Sequence, residues 1–223
     1  MYPPSQAPVA LITGGAGDLA QAIRRELKVQ GWQVHAPGQK EMDVTDKAAV
    51  QAVMGTLPRL DLLVHNAGFL RDTTMLKMKE GDFQDVLDVH LKGAFLVAQA
   101  ALKIMVKQRQ GHIVNIGSFS ALSGPAGQGN YAAAKAGLIA LTQSLAAEYG
   151  PRNIRANCVL PGFLDTKMSR PLLTKQRPKV EDAHALGRLN TVEDAARFIA
   201  FLQTMEHVSG QVFQLDSRIH RWT

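Results

Sequence analysis

The sequence VALITGGAGDLAQAIRREL at residues 9–27 changes its period within a few positions. VALIT is a short apolar strand, GGAG is a turn, and Leu19, Ala22, Ile23 and Leu27 then recur at helical spacing. A strand, a glycine turn and a helix start make a phosphate site, because bare backbone amides face the anion there. Its candidate residues are Gly14, Gly15, Ala16, Gly17, Asp18 and Leu19. Asp18 stands at the helix start, where its carboxylate would cap the helix but also repel a pyrophosphate. Ala20 takes the place of a last glycine.

The alternation continues along the chain. GWQVHAP (31–37) is a brief second strand, and GQKEMDVTD leads from it to a helix near 46–56. No full helix fits between Val34 and Asp43, so the usual crossover is shortened and the adenosine pocket must come from a tighter loop. No acidic residue ends the strand, where one would bind the ribose 2′-hydroxyl of NAD. His35 and Lys40 lie nearby instead, which leans toward NADPH. LDLLVHNAG (60–68) is a buried strand with a reversal at Asn66 and Gly68. Residues 82–108 carry apolar positions at helical spacing over one long helix. His90 lies on its apolar face, where a lone histidine is more often a satisfied core residue than a catalytic one.

HIVNIG (112–117) and NIRANCVL (153–160) are further strands. After PGFLDTKM (161–168), a polar, proline-containing stretch to about 190 reads as a mobile flap. TVEDAARFIAFLQ (191–203) is a capped amphipathic helix, and GQVFQLDS (210–217) a final strand. This pattern predicts one α/β domain over 1–223. Its fold is a single Rossmann-type doubly wound parallel sheet of about seven strands, with helices on both faces.

Composition narrows the setting. At 223 residues, with 46% hydrophobic and 20% charged residues, the chain has the make-up of a soluble globular protein. No apolar run reads as long enough to span a bilayer, and the start, MYPPSQAP, lacks a signal-peptide core. The single Cys158 has no internal partner for a disulfide, which fits a reducing cytoplasm. Net charge is +6, yet the basic residues are scattered and aromatics are few, so no nucleic-acid platform is visible. An anionic cofactor or an acidic partner accounts for the charge as well. No metal site is read.

SFSALSGPAGQGNYAAAK (118–135) carries the chemistry. Tyr131 and Lys135 are four residues apart on a helix and share one face. A phenol with a pKa near ~10 is a poor acid or base until a neighbouring ammonium favours its phenolate. Ser118, at the exit of a strand, has a hydroxyl to offer a developing oxyanion. The trio would protonate a carbonyl while hydride arrives from a cofactor. Taken alone, Tyr-x-x-x-Lys is more often an ordinary helix-surface pair, so the rest of the chain must decide it.

Taken together the chain resembles the short-chain dehydrogenases/reductases. TGGAG (13–17), NAG (66–68), Ser118, Tyr131 with Lys135, and PG (161–162) stand in family order, and the match covers nearly the whole chain. RDTTMLKMK (71–79), NYAAAKAGLIA (130–140), PGFLDTKM and GRL (187–189) are similar to the 3-oxoacyl-acyl-carrier-protein reductases. The resemblance implies that Tyr131 donates the proton, Lys135 lowers its pKa and binds the nicotinamide ribose, and Ser118 holds the carbonyl oxygen. It also implies cofactor contacts at Asp43 and Val44, at Asn66, Ala67 and Gly68, and around Pro161, Gly162, Leu164 and Thr166. At His90 the family has an asparagine that supports a water-linked proton relay; an imidazole can donate and accept in its place. Asp18 and Ala20 depart from the glycine motif.

The expectation is therefore an NADPH-dependent (NADH possible) cytoplasmic reductase of a 3-oxoacyl thioester. The resemblance implies a homotetramer built on the long helix and the helix after Tyr131. It implies too that Arg109 and Arg152 dock an acidic acyl carrier protein. A polyketide-type or acetoacetyl-CoA reductase is a variant of the same chemistry. The alternative from another class is a non-catalytic, weakly nucleotide-binding partner subunit, motivated by Asp18, Ala20 and the shortened loop.

Overall fold

The computed structural model describes residues 7–219; Met1–Gln6, the start of the segment read as lacking a signal core, lie outside them. The first strand, β1 (Val9–Ile12), is buried along its whole length. Its side chains alternate between two cores, as a pleat requires. Val9 and Leu11 face one apolar cluster, and Ala10 and Ile12 the other. α1 (Asp18–Val29) follows and sets Leu19, Ile23 and Leu27 into the second cluster.

β2 (Gln33–His35) pairs beside β1, and α2 (Lys47–Gly55) starts at Asp46, whose carboxylate accepts from the amides of Ala48 and Ala49. β3 (Leu62–His65) then pairs on the other side of β1. α3 (Glu80–Leu87) passes through a π-helical turn, Asp88–Lys92, into α4 (Gly93–Gln108). The remaining elements are β4 (Gly111–Ile116), the short α5 (Ser120–Ser123), α6 (Gly129–Tyr149), β5 (Ile154–Leu160), α7 (Arg170–Asp182), α8 (Val192–Phe201) and β6 (Val212–Gln214).

All pairings are parallel, and the sheet runs β2-β1-β3-β4-β5-β6. α1 and α8 cover one face; α2, α4 and α6 cover the other. The order reverses at β1, so the crevice beyond the carboxyl ends of β1 and β3 is the switch point where such sheets bind ligands.

Three expectations need correction. The sheet has six strands among the described residues rather than about seven. Only residues 36–46 separate β2 from α2, too few for a helix and another strand. They fold instead as a turn that buries Met42 and Val44 in the first core. The long helix is not uniform, because one π turn interrupts it at His90. Finally, Glu80–Gln108 is long and apolar enough to cross a membrane by length and composition. Here half of its most apolar window is buried, and Val97, Ala101 and Met105 belong to the core.

Candidate active site

The switch-point loops are stitched together by Thr13. Its hydroxyl accepts from the amides of Asn66 (3.0 Å) and Ala67 (2.9 Å), while the Asn66 amide group donates to the Thr13 carbonyl (3.2 Å). Gly14 adopts φ +66°, and a Cβ there would press on the Ala67 backbone. Gly17, at the N-cap of α1, has no side chain to give to the first-turn amides, which are left for an outside acceptor. That arrangement fits the phosphates of a dinucleotide. Asp18 does not cap the helix as expected. Its carboxylate crosses to the flap and accepts from the Lys167 amide at 2.7 Å.

Beside this cradle, the Gly15 amide donates to the Pro37 carbonyl (2.9 Å), which brings the shortened loop against the glycine turn. Asp43 binds the Thr45 amide and hydroxyl, and these bonds lower its pKa. Val44 packs so closely on Gly93 that any side chain there would displace it.

The trio assembles where β4 ends and α6 begins. Lys135 is buried, and its ammonium donates to the Ile116 carbonyl at 2.5 Å. Burial pushes its pKa down to about 8. The Ser118 hydroxyl is near enough to the Tyr131 phenol to favour its phenolate, and the Lys135 ammonium lies 5.6 Å from the centre of the ring. The electrostatics differ from the sequence expectation. Burial pushes the Tyr131 phenol up to about 12, outweighing the opposing effect of the Ser118 hydroxyl, and the Asp72 charge adds to the rise.

His90 joins the same cluster. Its ring and that of Tyr131 stand nearly perpendicular, with centroids 5.1 Å apart at 88°. Nε2 contacts the backbone of Phe69, whereas Nδ1 is buried without a partner. Burial first, and the Lys135 charge second, hold its pKa well below the usual histidine value. Gly68 leaves the room for this ring, since a Cβ there would collide with it.

The other expected residues surround the trio. Pro161 and Gly162 leave β5, with Gly162 at φ +89° packed on Asp216. Asn190 donates to the Pro161 carbonyl at 2.7 Å. Leu164 bridges to Asn190, and the Thr166 amide donates to the Ser169 hydroxyl at 3.0 Å. Arg109 and Arg152 lie apart from this cluster but near one another. Both are exposed, and the Asn153 side chain donates to the Arg109 carbonyl at 3.2 Å.

Sequence reasoning missed three contributors. His65 is buried behind the cluster, with Nδ1 3.3 Å from the Thr13 hydroxyl and Nε2 unpartnered. Burial, with help from Lys135, pushes its pKa down to about 3. Asn130 is fully buried; it donates to the Arg71 and Asp82 carbonyls and accepts from the Tyr131 amide. Gln128 links Asp72 to Ser120, steadying the loop after Ser118. A histidine ending an apolar strand and an asparagine beside Tyr131 were the available signals. Cys158 is buried and its thiol is pushed up to about 12, as befits an inert core residue.

The comparisons agree with this geometry. The family model described as enoyl-(acyl carrier protein) reductase matches residues 10–219. The 3-oxoacyl-(acyl-carrier-protein) reductase of Thermotoga maritima is 38% identical, over 93% of this chain and 96% of its own. Its counterpart from Aquifex aeolicus is 37% identical, over 95% and 87%. That from Escherichia coli K12 is 32% identical, over 95% and 97%. Among solved structures, ElxO with NADP bound superposes with a TM-score of 0.89 at 26% identity, covering 95% of this chain and 98% of that one.

Proposed function

The chain belongs to the short-chain dehydrogenase/reductase family and is an NAD(P)-dependent oxidoreductase acting on a ketone or alcohol; from that premise we propose that it reduces 3-oxoacyl thioesters, with NADPH as the donor. The single observation that carries this reading is the cluster in which the Ser118 hydroxyl acts on the Tyr131 phenol and the buried Lys135 ammonium lies 5.6 Å from the centre of its ring.

A bound nicotinamide supplies the hydride. The residues of the chain do the rest. Tyr131 passes its proton to the ketone oxygen, and Ser118 donates a hydrogen bond to that same oxygen as its charge grows. Lys135 stabilises the phenolate left behind. Gly14 to Leu19 and Asn66 to Gly68 would hold the dinucleotide, with Asp43 and Val44 serving its adenine end and Pro161, Gly162, Leu164 and Thr166 its carboxamide end. The printed names of the acyl-carrier-protein relatives support a thioester substrate. The NADP in ElxO, with His35 and Lys40 at the end of β2, supports NADPH over NADH.

The proposal extends to the assembly. The whole chain acts as one NAD(P)-binding domain in the cytoplasm, with 166–190 as the substrate flap. Arg109 and Arg152 offer adjacent positive charge to an acidic carrier. A homotetramer would cover the groove along the run from the end of α3 through the π turn into α4, beside α6, about 410 Å³ with Leu87, Leu91, Phe95 and Leu141 in its lining.

Fluorescence titration with NADPH and NADH, followed by nucleotide oxidation on adding an acetoacetyl thioester, tests the reading. NADPH binding with turnover is expected. Binding of neither nucleotide would overturn it in favour of a non-catalytic partner subunit.

A further inference from the structure

The flap is moored at both ends. At its far end, the amides of Ala185 and Leu186 donate to the carbonyl and hydroxyl of Ser217, and His184 faces the buried Asp216 carboxylate at 3.6 Å. At its near end, the Lys167 amide donates to Asp18, 149 residues away in sequence and on the first turn of α1. Between them α7 is broken at Gln176 and contains Pro178, so its middle is the weaker part. The two moorings differ in kind. Ser217 and Asp216 belong to the segment after β6. Asp18 is part of the cradle itself.

We propose that Asp18 is a positioning residue that ties the start of the flap to the phosphate cradle and makes the flap respond to the dinucleotide. The carboxylate replaces a helix cap with a long-range bond, leaving the α1 amides free while holding the Lys167 backbone at the first turn of the helix. An incoming pyrophosphate meets those amides and, beside them, a like charge. Its arrival weakens the tether, so cofactor binding and release of the near hinge are two sides of one equilibrium. This rests on the reading of the cradle as a dinucleotide site.

Two variants separate charge from tether. Asp18→Asn keeps an oxygen that accepts from the Lys167 amide and loses the charge; Asp18→Ala loses both. Hydrogen exchange of residues 165–170, followed by mass spectrometry on the cofactor-free protein, reads the tether directly. Exchange in D18A should be about three- to tenfold faster than in the parent protein, with protection restored in D18N. NADPH should bind D18N about two- to fivefold more tightly than the parent, and should speed exchange of the same residues in the parent protein. Equal exchange in D18A and parent would overturn the tether, and equal NADPH affinity in D18N and parent would overturn the coupling. Should neither nucleotide bind any form, the cofactor reading and the coupling fall, while the exchange comparison still decides the tether.

Discussion

One nitrogen of His90 meets both backbone groups of Phe69: Nε2 lies 3.1 Å from the amide nitrogen and 2.8 Å from the carbonyl oxygen. A neutral imidazole uses one of these at a time. With its proton on Nε2 the ring donates to the carbonyl; with the proton on Nδ1, Nε2 accepts from the amide. Either tautomer is held in place, and the buried, unpartnered Nδ1 carries a lone pair in the first and a proton in the second.

Replacing His90 by phenylalanine keeps a ring against Tyr131 and removes both nitrogens. Turnover of the thioester should fall by about tenfold or more, with NADPH affinity retained. Asparagine at the same place should keep much of the rate. Full turnover in H90F would remove the imidazole from the chemistry.

Tyr131→Phe should lower kcat at least about 100-fold. The variant keeps the ring in its packed place and removes only the hydroxyl, a change of about 1 kcal/mol, so its melting temperature should change little. A folded Y131F protein that still turns over would sink the proposed reaction.

Gly68→Ala would drive a methyl group into the His90 ring. Urea denaturation should show a loss of about 1–3 kcal/mol. The double variant Gly68→Ala with His90→Ala should lose less than the sum of the single changes, because the clash disappears with the ring. Strict additivity would mean that the glycine acts through something else.

Stability should depend on pH through the buried histidines His65, His90 and His112, all held below the usual histidine value by burial. His65 and His112 are pushed down to about 3, chiefly by burial, with Lys135 and Arg155 respectively adding to it. In the unfolded chain they titrate near ~6.5. Between those values the unfolded state binds more protons, so stability rises with pH and is lost on acidification. Each group contributes a slope of up to about 1.4 kcal/mol per pH unit. Melting temperature should therefore fall steeply from pH 6 to pH 4, and less steeply in His112→Gln. Equal slopes for the two proteins would contradict the burial argument.

Much of this was legible because strands and helices write their burial into their spacing. VALIT and LDLLVH announced buried parallel strands, and the short distance from Val34 to Asp43 announced a missing crossover. The missing strand followed from that same shortage, yet residue spacing alone did not show that the trimmed edge would simply end at β2. The helix within the flap was hidden by Pro171, Pro178 and a polar composition that fits loop and helix alike. Asp18 was readable as an oddity but not as a tether, since its partner is a backbone amide with no sequence signature. The Tyr131 phenol depended on a balance between desolvation and the Ser118 hydroxyl, and only the packing sets that balance.

The sheet is bordered on both sides by strands of three residues, Gln33–His35 and Val212–Gln214. A border so short exposes few unpaired amides and carbonyls and gives an approaching chain little to zip onto. Trimming the outer strand therefore leaves the protein without a long raw seam, and the shortened fold is protected from edge-to-edge polymerisation by the brevity of its margins.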